Sequence, residues 1–81
     1  MDKKAMAVLT AWDPLQKGQQ AYEHEVIDVV NALHQIDHPT DLAKKIRDIY
    51  AHSFKFWIPI EKCVEVSYQL LAIKYKEKRI V

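Results

Sequence analysis

With one glycine and three prolines among 81 residues, this chain has few places to turn. The single glycine, Gly18, excludes two nucleotide-binding devices at once. A Walker-type loop and a dinucleotide fingerprint each need at least two glycines at fixed spacing, so that backbone can approach phosphate closely. Between its few breakers the chain runs in long segments whose apolar residues recur every three and four positions. Sustained alternation with a period of two is absent, so the pattern is helical. A chain of this length buries only about 60% of its unfolded surface, which leaves little room for an enclosed active site.

The expected fold is all-α, a single domain over residues 1–81 forming a bundle of three to four helices at about 3–13, 21–36, 39–55 and 59–77. The first helix has Asp2 as a potential N-cap, carries Ala5, Val8, Leu9 and Trp12 on one stripe, and stops at Asp13 before Pro14. Pro14 to Gln20 is a loop. The second helix lines up Tyr22, Val26, Val29, Val30, Leu33 and Ile36. The third starts at His38-Pro39-Thr40-Asp41, with Pro39 at the first helical position and Asp41 at the positive end of the dipole. Its inner stripe is Leu42, Ala43, Ile46, Ile49, Tyr50, Ser53 and Phe54. Pro59 opens the fourth, which turns Ile60, Cys63, Val64, Ser67, Leu70, Leu71 and the stem of Lys74 inward.

Twelve basic against eleven acidic side chains leave a formal charge of +1, so no domain-wide basic field exists to hold nucleic acid. The local excess at Lys74, Lys76, Lys78 and Arg79 reads as a solvated helix end. Cys63 is alone and lies in an apolar stripe, the setting of a small buried hydrophobe in a reducing cytoplasm. The N-terminal apolar stretch is too short for a signal peptide, and nowhere do 18 apolar residues run together.

Chemistry-bearing groups are few. His34 and His38 are four apart, but His38 precedes Pro39 and so falls at the helix boundary, pointing away from the face a shared metal would need; His24 and Asp37 are the remaining ligand candidates. Glu23, Glu25 and Asp28 give the second helix an acidic edge with His24 beside it, which reads first as a surface charge pattern. Ser53 and Ser67 lack flanking glycines and are expected to bond back to their own helices. Cys63 in an apolar stripe is a poor nucleophile, because burial disfavours the thiolate. No catalytic set, metal or cofactor is implied. The remaining feature is Phe54-Lys55-Phe56-Trp57-Ile58, where helical spacing requires only Phe54 and Trp57 inward and leaves Phe56 surplus. Exposed aromatics of this kind mark docking surfaces.

Read in order, Trp12-Asp13-Pro14, Tyr22, Glu25, Asp28-Val29, His34, Asp37, Pro39, Leu42-Ala43, Ile46, Ile49-Tyr50, Ser53-Phe54, Ile58-Pro59 and Cys63 resemble the YugE-like family of small proteins from spore-forming Gram-positive bacteria. The resemblance covers nearly the whole chain and implies a compact all-helical domain of unknown function, with no catalytic residues to carry over. The Trp-Asp-Pro turn followed by acidic residues around a tyrosine is also similar to a group of small bacterial helical proteins, some of which resemble immunity proteins encoded beside toxins. Those have Ile-Gly directly after the turn, where this chain has Leu15-Gln16-Lys17-Gly18.

The expected function is accordingly a non-enzymatic protein-interaction module, with homodimerisation one form of it. Its surface would combine Trp12, Phe56 and Trp57 with the nearby acids Glu23, Glu25 and Asp28. An immunity-like protein that neutralises a cationic toxin is the alternative. A metal-dependent hydrolase using His34 or His24 with Glu25 and Asp28 ranks below both, and nucleic-acid binding through the basic tail ranks last.

Overall fold

The computed structural model describes residues 2–78, and these form α1 (Asp2–Trp12), a short 3-10 turn (Gln19–Tyr22), α2 (Glu23–Gln35), α3 (Pro39–Phe54) and α4 (Ile60–Lys78). The predicted all-α bundle is therefore observed, with each helix boundary within two residues of expectation. The molecule is elongated, 41 × 23 × 17 Å, because α4 alone is 19 residues long. Helix α4 packs most extensively on α3 and also on α1, while α2 bridges α1 and α3.

The core is the meeting of the four predicted stripes. Leu9 from α1, Val29 and Leu33 from α2, Leu42, Ile46 and Tyr50 from α3, and Val66 and Leu70 from α4 are fully or almost fully buried, together with Ile58 from the α3–α4 connection. Cys63 and Ser67 are buried as expected, and the Ser67 hydroxyl donates to the Cys63 carbonyl one turn earlier at 2.7 Å. Val66, outside the predicted stripe, is buried in its place beside half-buried Ile60 and Val64.

Each boundary has a local cause. His38, just before Pro39, takes the extended conformation that proline imposes on its predecessor, and its carbonyl accepts the Leu42 N–H at 3.0 Å to begin α3. Helix α3 ends because Lys55 adopts the left-handed conformation, φ 58°, which breaks the repeat while its N–H still reaches the Ala51 carbonyl at 2.8 Å. Pro59 precedes α4 instead of opening it: its carbonyl accepts N–H bonds from Lys62 and Cys63, the work of an N-terminal cap.

The loop after α1 is the most contorted backbone among the described residues. Asp13, Gln16 and Gly18 all have positive φ (36°, 55° and 94°), and Gly18 at φ 94°, ψ 155° sits in a region essentially closed to residues with a Cβ. The Asp13 carboxylate closes the turn by accepting the N–H groups of Lys17 at 2.9 Å and Gly18 at 3.3 Å. It also accepts the hydroxyl of buried Tyr22, whose oxygen in turn receives the Leu15 N–H at 3.2 Å. Asp13 is therefore not the last residue of the first helix but the organiser of the loop beyond it.

The opposite end is closed by Lys74. The sequence pattern leaves its ammonium in solvent, yet only 3% of the residue is exposed. Its Nζ donates to the carbonyls of Leu33 at 2.6 Å and Ile36 at 3.2 Å and pairs with the Asp37 carboxylate at 2.9 Å. Three donors thus meet three acceptors, two of them carbonyls that the end of α2 leaves without intrahelical partners. Tyr75 adds a hydroxyl bond to the Asp37 carbonyl at 2.7 Å.

Candidate functional site

The residues proposed from sequence as one docking surface lie in different places. Trp12 is half-buried and meets the Tyr50 ring edge-on, with centroids 5.6 Å apart, so it anchors α1 to the core. Tyr22, Tyr50 and Phe54 continue this aromatic cluster, Tyr22 lying 5.5 Å from Tyr50 and 5.4 Å from Phe54. The outer side of Trp12 lines a shallow groove between α1 and α4 with Ala7, Ala11 and Gln69.

The acidic edge of α2 is not one continuous surface. Glu23, two and five positions from the others, falls on another face, while Glu25 and Asp28, three apart, are neighbours of which only Asp28 is exposed. Glu23 lines a groove against α1 with Met6 and Ile27, and Asp28 lines another against α3 with Lys45 and Ile49. Glu25 is turned inward, 8% exposed, and accepts a 2.8 Å hydrogen bond from the Ser53 hydroxyl. Ser53, expected on the inner stripe and bonded to its own helix, is exposed and bonds across to α2. An acidic phosphate-mimicking face of the kind a toxin-neutralising role needs has therefore lost its central member.

The candidate hydrolase set is likewise dispersed. His34 bonds through Nε2 to the Asp2 carboxylate at 2.9 Å, which also makes Asp2 a tertiary partner instead of a helix cap. Glu25 is engaged by Ser53, and among the described residues no three His, Cys, Asp or Glu side chains converge as a metal site. Burial pushes the Cys63 thiol up to about 11, against the lowering effect of the Arg47 charge. Tyr50 is raised further by its burial and by the charge of Glu25, and its hydroxyl has no hydrogen-bond partner among the described residues. In the basic tail, Lys74 is buried, Lys76 is exposed, and the Lys78 side chain and Arg79 lie outside the described residues.

The segment after α3 is what remains at the surface. Phe56 and Trp57 are 54% and 63% exposed, while the next residue, Ile58, is 1% exposed and pins the segment to the core. The prediction that Phe56 is surplus to the core is met; Trp57, predicted inward, is outside, and Ile58 takes the buried place. The guanidinium of Arg47 lies over the Trp57 ring, 4.8 Å from its centroid. Phe56 forms one wall of a groove of about 390 Å³ whose other wall is the contorted loop, Pro14 to Lys17, with Phe54 as floor and Lys55 at the rim. The Lys17 ammonium sits 5.7 Å from the Phe54 ring centroid. Lys17, Lys55 and Arg47 were not recognisable from sequence as part of a site, because only the fold brings residues 14–17 beside 54–56.

Fold and surface together define a small four-helix domain with a preformed aromatic and cationic groove at one end. The chain belongs to the family described as a domain of unknown function, DUF1871, whose model matches residues 4–79. It is 40% identical over 72 residues to the uncharacterized protein YugE of Bacillus subtilis strain 168, a match spanning 89% of this chain and 84% of that protein. A crystal structure of a protein from Bacillus stearothermophilus, 29% identical, superposes with a TM-score of 0.90 over 93% of both chains. No helix among the described residues is long and apolar enough to cross a membrane.

Proposed function

We propose that this domain is a protein-docking module without chemistry of its own, and that it docks through the segment following α3. The observation that carries the reading is the exposure of two consecutive aromatic side chains, Phe56 at 54% and Trp57 at 63%, on a segment whose next residue, Ile58, is buried in the core. Isolated surface aromatics need no explanation, but an adjacent pair on a fixed segment beside a concave wall is the arrangement of an interface anchor. Dispersal of the acid, histidine and thiol groups supports the absence of a catalytic role, since acid–base work needs two such groups within reach of one substrate atom.

Photocrosslinking tests the surface directly. A photoreactive benzoylphenylalanine placed at Phe56 in the producing cell is expected to give discrete adducts. The same group at Tyr68, equally exposed but on α4, is expected to give none of them. Identical adduct patterns from both positions would remove the assignment of the docking surface.

A further inference from the structure

We infer that the groove between the Pro14–Lys17 loop and the end of α3 receives an acidic peptide segment of a different protein, one that carries an apolar anchor among its carboxylates. The inference rests on the docking role of Phe56 and adds the chemistry of the partner.

The groove combines apolar and polar lining, with two lysines among its residues. Leu15, Phe54 and Phe56 offer the apolar contact, and Lys17 and Lys55 stand beside them. Neither lysine makes an ion pair among the described residues, and Arg47 on α3, lying over the Trp57 face, makes none there either. The Arg47 Nε is moreover buried without a hydrogen-bond acceptor. Asp13, next to the loop, makes no ion pair with either lysine; its oxygens accept the Lys17 N–H, the Gly18 N–H and the Tyr22 hydroxyl. A wall of exposed aromatic surface beside lysines that form no ion pair among the described residues complements a ligand that brings carboxylates and an apolar side chain together.

The same charge pattern argues against a second copy of this chain. A two-fold interface places each patch against itself, so Lys17 and Lys55 of one copy would face Lys17 and Lys55 of the other. Like charges brought together there oppose association.

Two synthetic octapeptides separate the possibilities, each with two leucines and four charged residues, glutamate in one and lysine in the other. Titrated into the ¹⁵N-labelled protein, the glutamate peptide is expected to shift the amides of Leu15, Lys17, Lys55 and Phe56, and to do so less as salt is raised. The lysine peptide is expected to bind on the order of tenfold more weakly, the effect of two exposed charge pairs. Lys17→Glu combined with Lys55→Asn, the asparagine chosen to tolerate the left-handed backbone, should erase that preference; Lys17→Glu alone should reduce it. Equal binding of the two peptides would overturn the acidic partner and leave the docking surface standing. The acidic partner is also overturned if neither peptide shifts the groove amides while Phe56 still crosslinks, or if every Phe56 crosslink is to a second copy. Loss of both the peptide shifts and the Phe56 crosslinks would overturn the docking reading itself.

Discussion

Replacing Lys74 by methionine isolates the polar contribution of the buried ammonium, because the new side chain keeps the stem's length and packing. The substitution removes one donor to Leu33 O at 2.6 Å, one to Ile36 O at 3.2 Å and one charge pair with Asp37 at 2.9 Å. The Asp37 side chain is 57% exposed, so its carboxylate returns to water at a cost of about 1 kcal/mol or less. The two carbonyls are the larger loss, on the order of 1 kcal/mol each when left without donors under a methionine. Relief of the ammonium's own desolvation acts in the opposite direction. The balance predicts that Lys74→Met destabilises by about 2 kcal/mol, which in a domain of this size lowers the melting temperature by about 8–16 °C. Asp37→Asn should cost at most about 1 kcal/mol, since it removes only the exposed partner. Urea titration followed by circular dichroism measures both. A Lys74→Met midpoint equal to or above that of the wild type would refute the reasoning, showing that taking the charge out of water costs more than three well-placed acceptors return.

The acid limb of stability should run through Asp13. Its carboxyl is held below the ordinary value first by the Tyr22 hydroxyl and then by the Lys17, Gly18 and Gln16 N–H groups. A depressed folded value means that the contribution is present above the unfolded pKa of about 4 and is lost as pH falls below it. Asp13→Asn is therefore expected to flatten the pH dependence of unfolding between about pH 5 and pH 2, and an unchanged acid limb would contradict this. The Cys63 thiol, pushed up to about 11 by burial, should react with Ellman's reagent at pH 8 only as the chain opens, so that its rate in the native state follows urea concentration. Prompt stoichiometric reaction without denaturant would show that the α3–α4 interface is not closed over it.

Helix number, boundaries and most of the core are legible in the sequence because proline position and three-and-four spacing are local signals. The residues that close the ends of the bundle are not, because they act through tertiary pairs. Asp13 and Tyr22 meet across a loop with three positive φ angles, Glu25 meets Ser53 from another helix, and Lys74 reaches back to residues 33–37. In sequence Asp13 reads as a helix end, Glu25 as a surface acid, Tyr22 and Ser53 as members of inner stripes and Lys74 as part of a solvated helix end, and none of them shows its partner. Trp57 and Ile58 exchange inside for outside for a related reason: a helical count carried past Lys55 misses the left-handed turn there, which resets which side chains face the core. The residues on which the family resemblance is read include Asp13, Tyr22, Glu25, Ser53 and Asp37, so that resemblance draws in part on residues that form side-chain pairs in this fold.

Lys55 holds two positions at once. It terminates α3 at φ 58°, where glycine would sit at ease and a residue with a Cβ carries strain of about 1–2 kcal/mol, and it supplies a cation to the rim of the groove. Glycine there would make a firmer protein with a blunter recognition surface. Stability and selectivity are thus set against each other at a single codon, and a screen for thermal robustness alone would drift toward the variant least able to choose its partner.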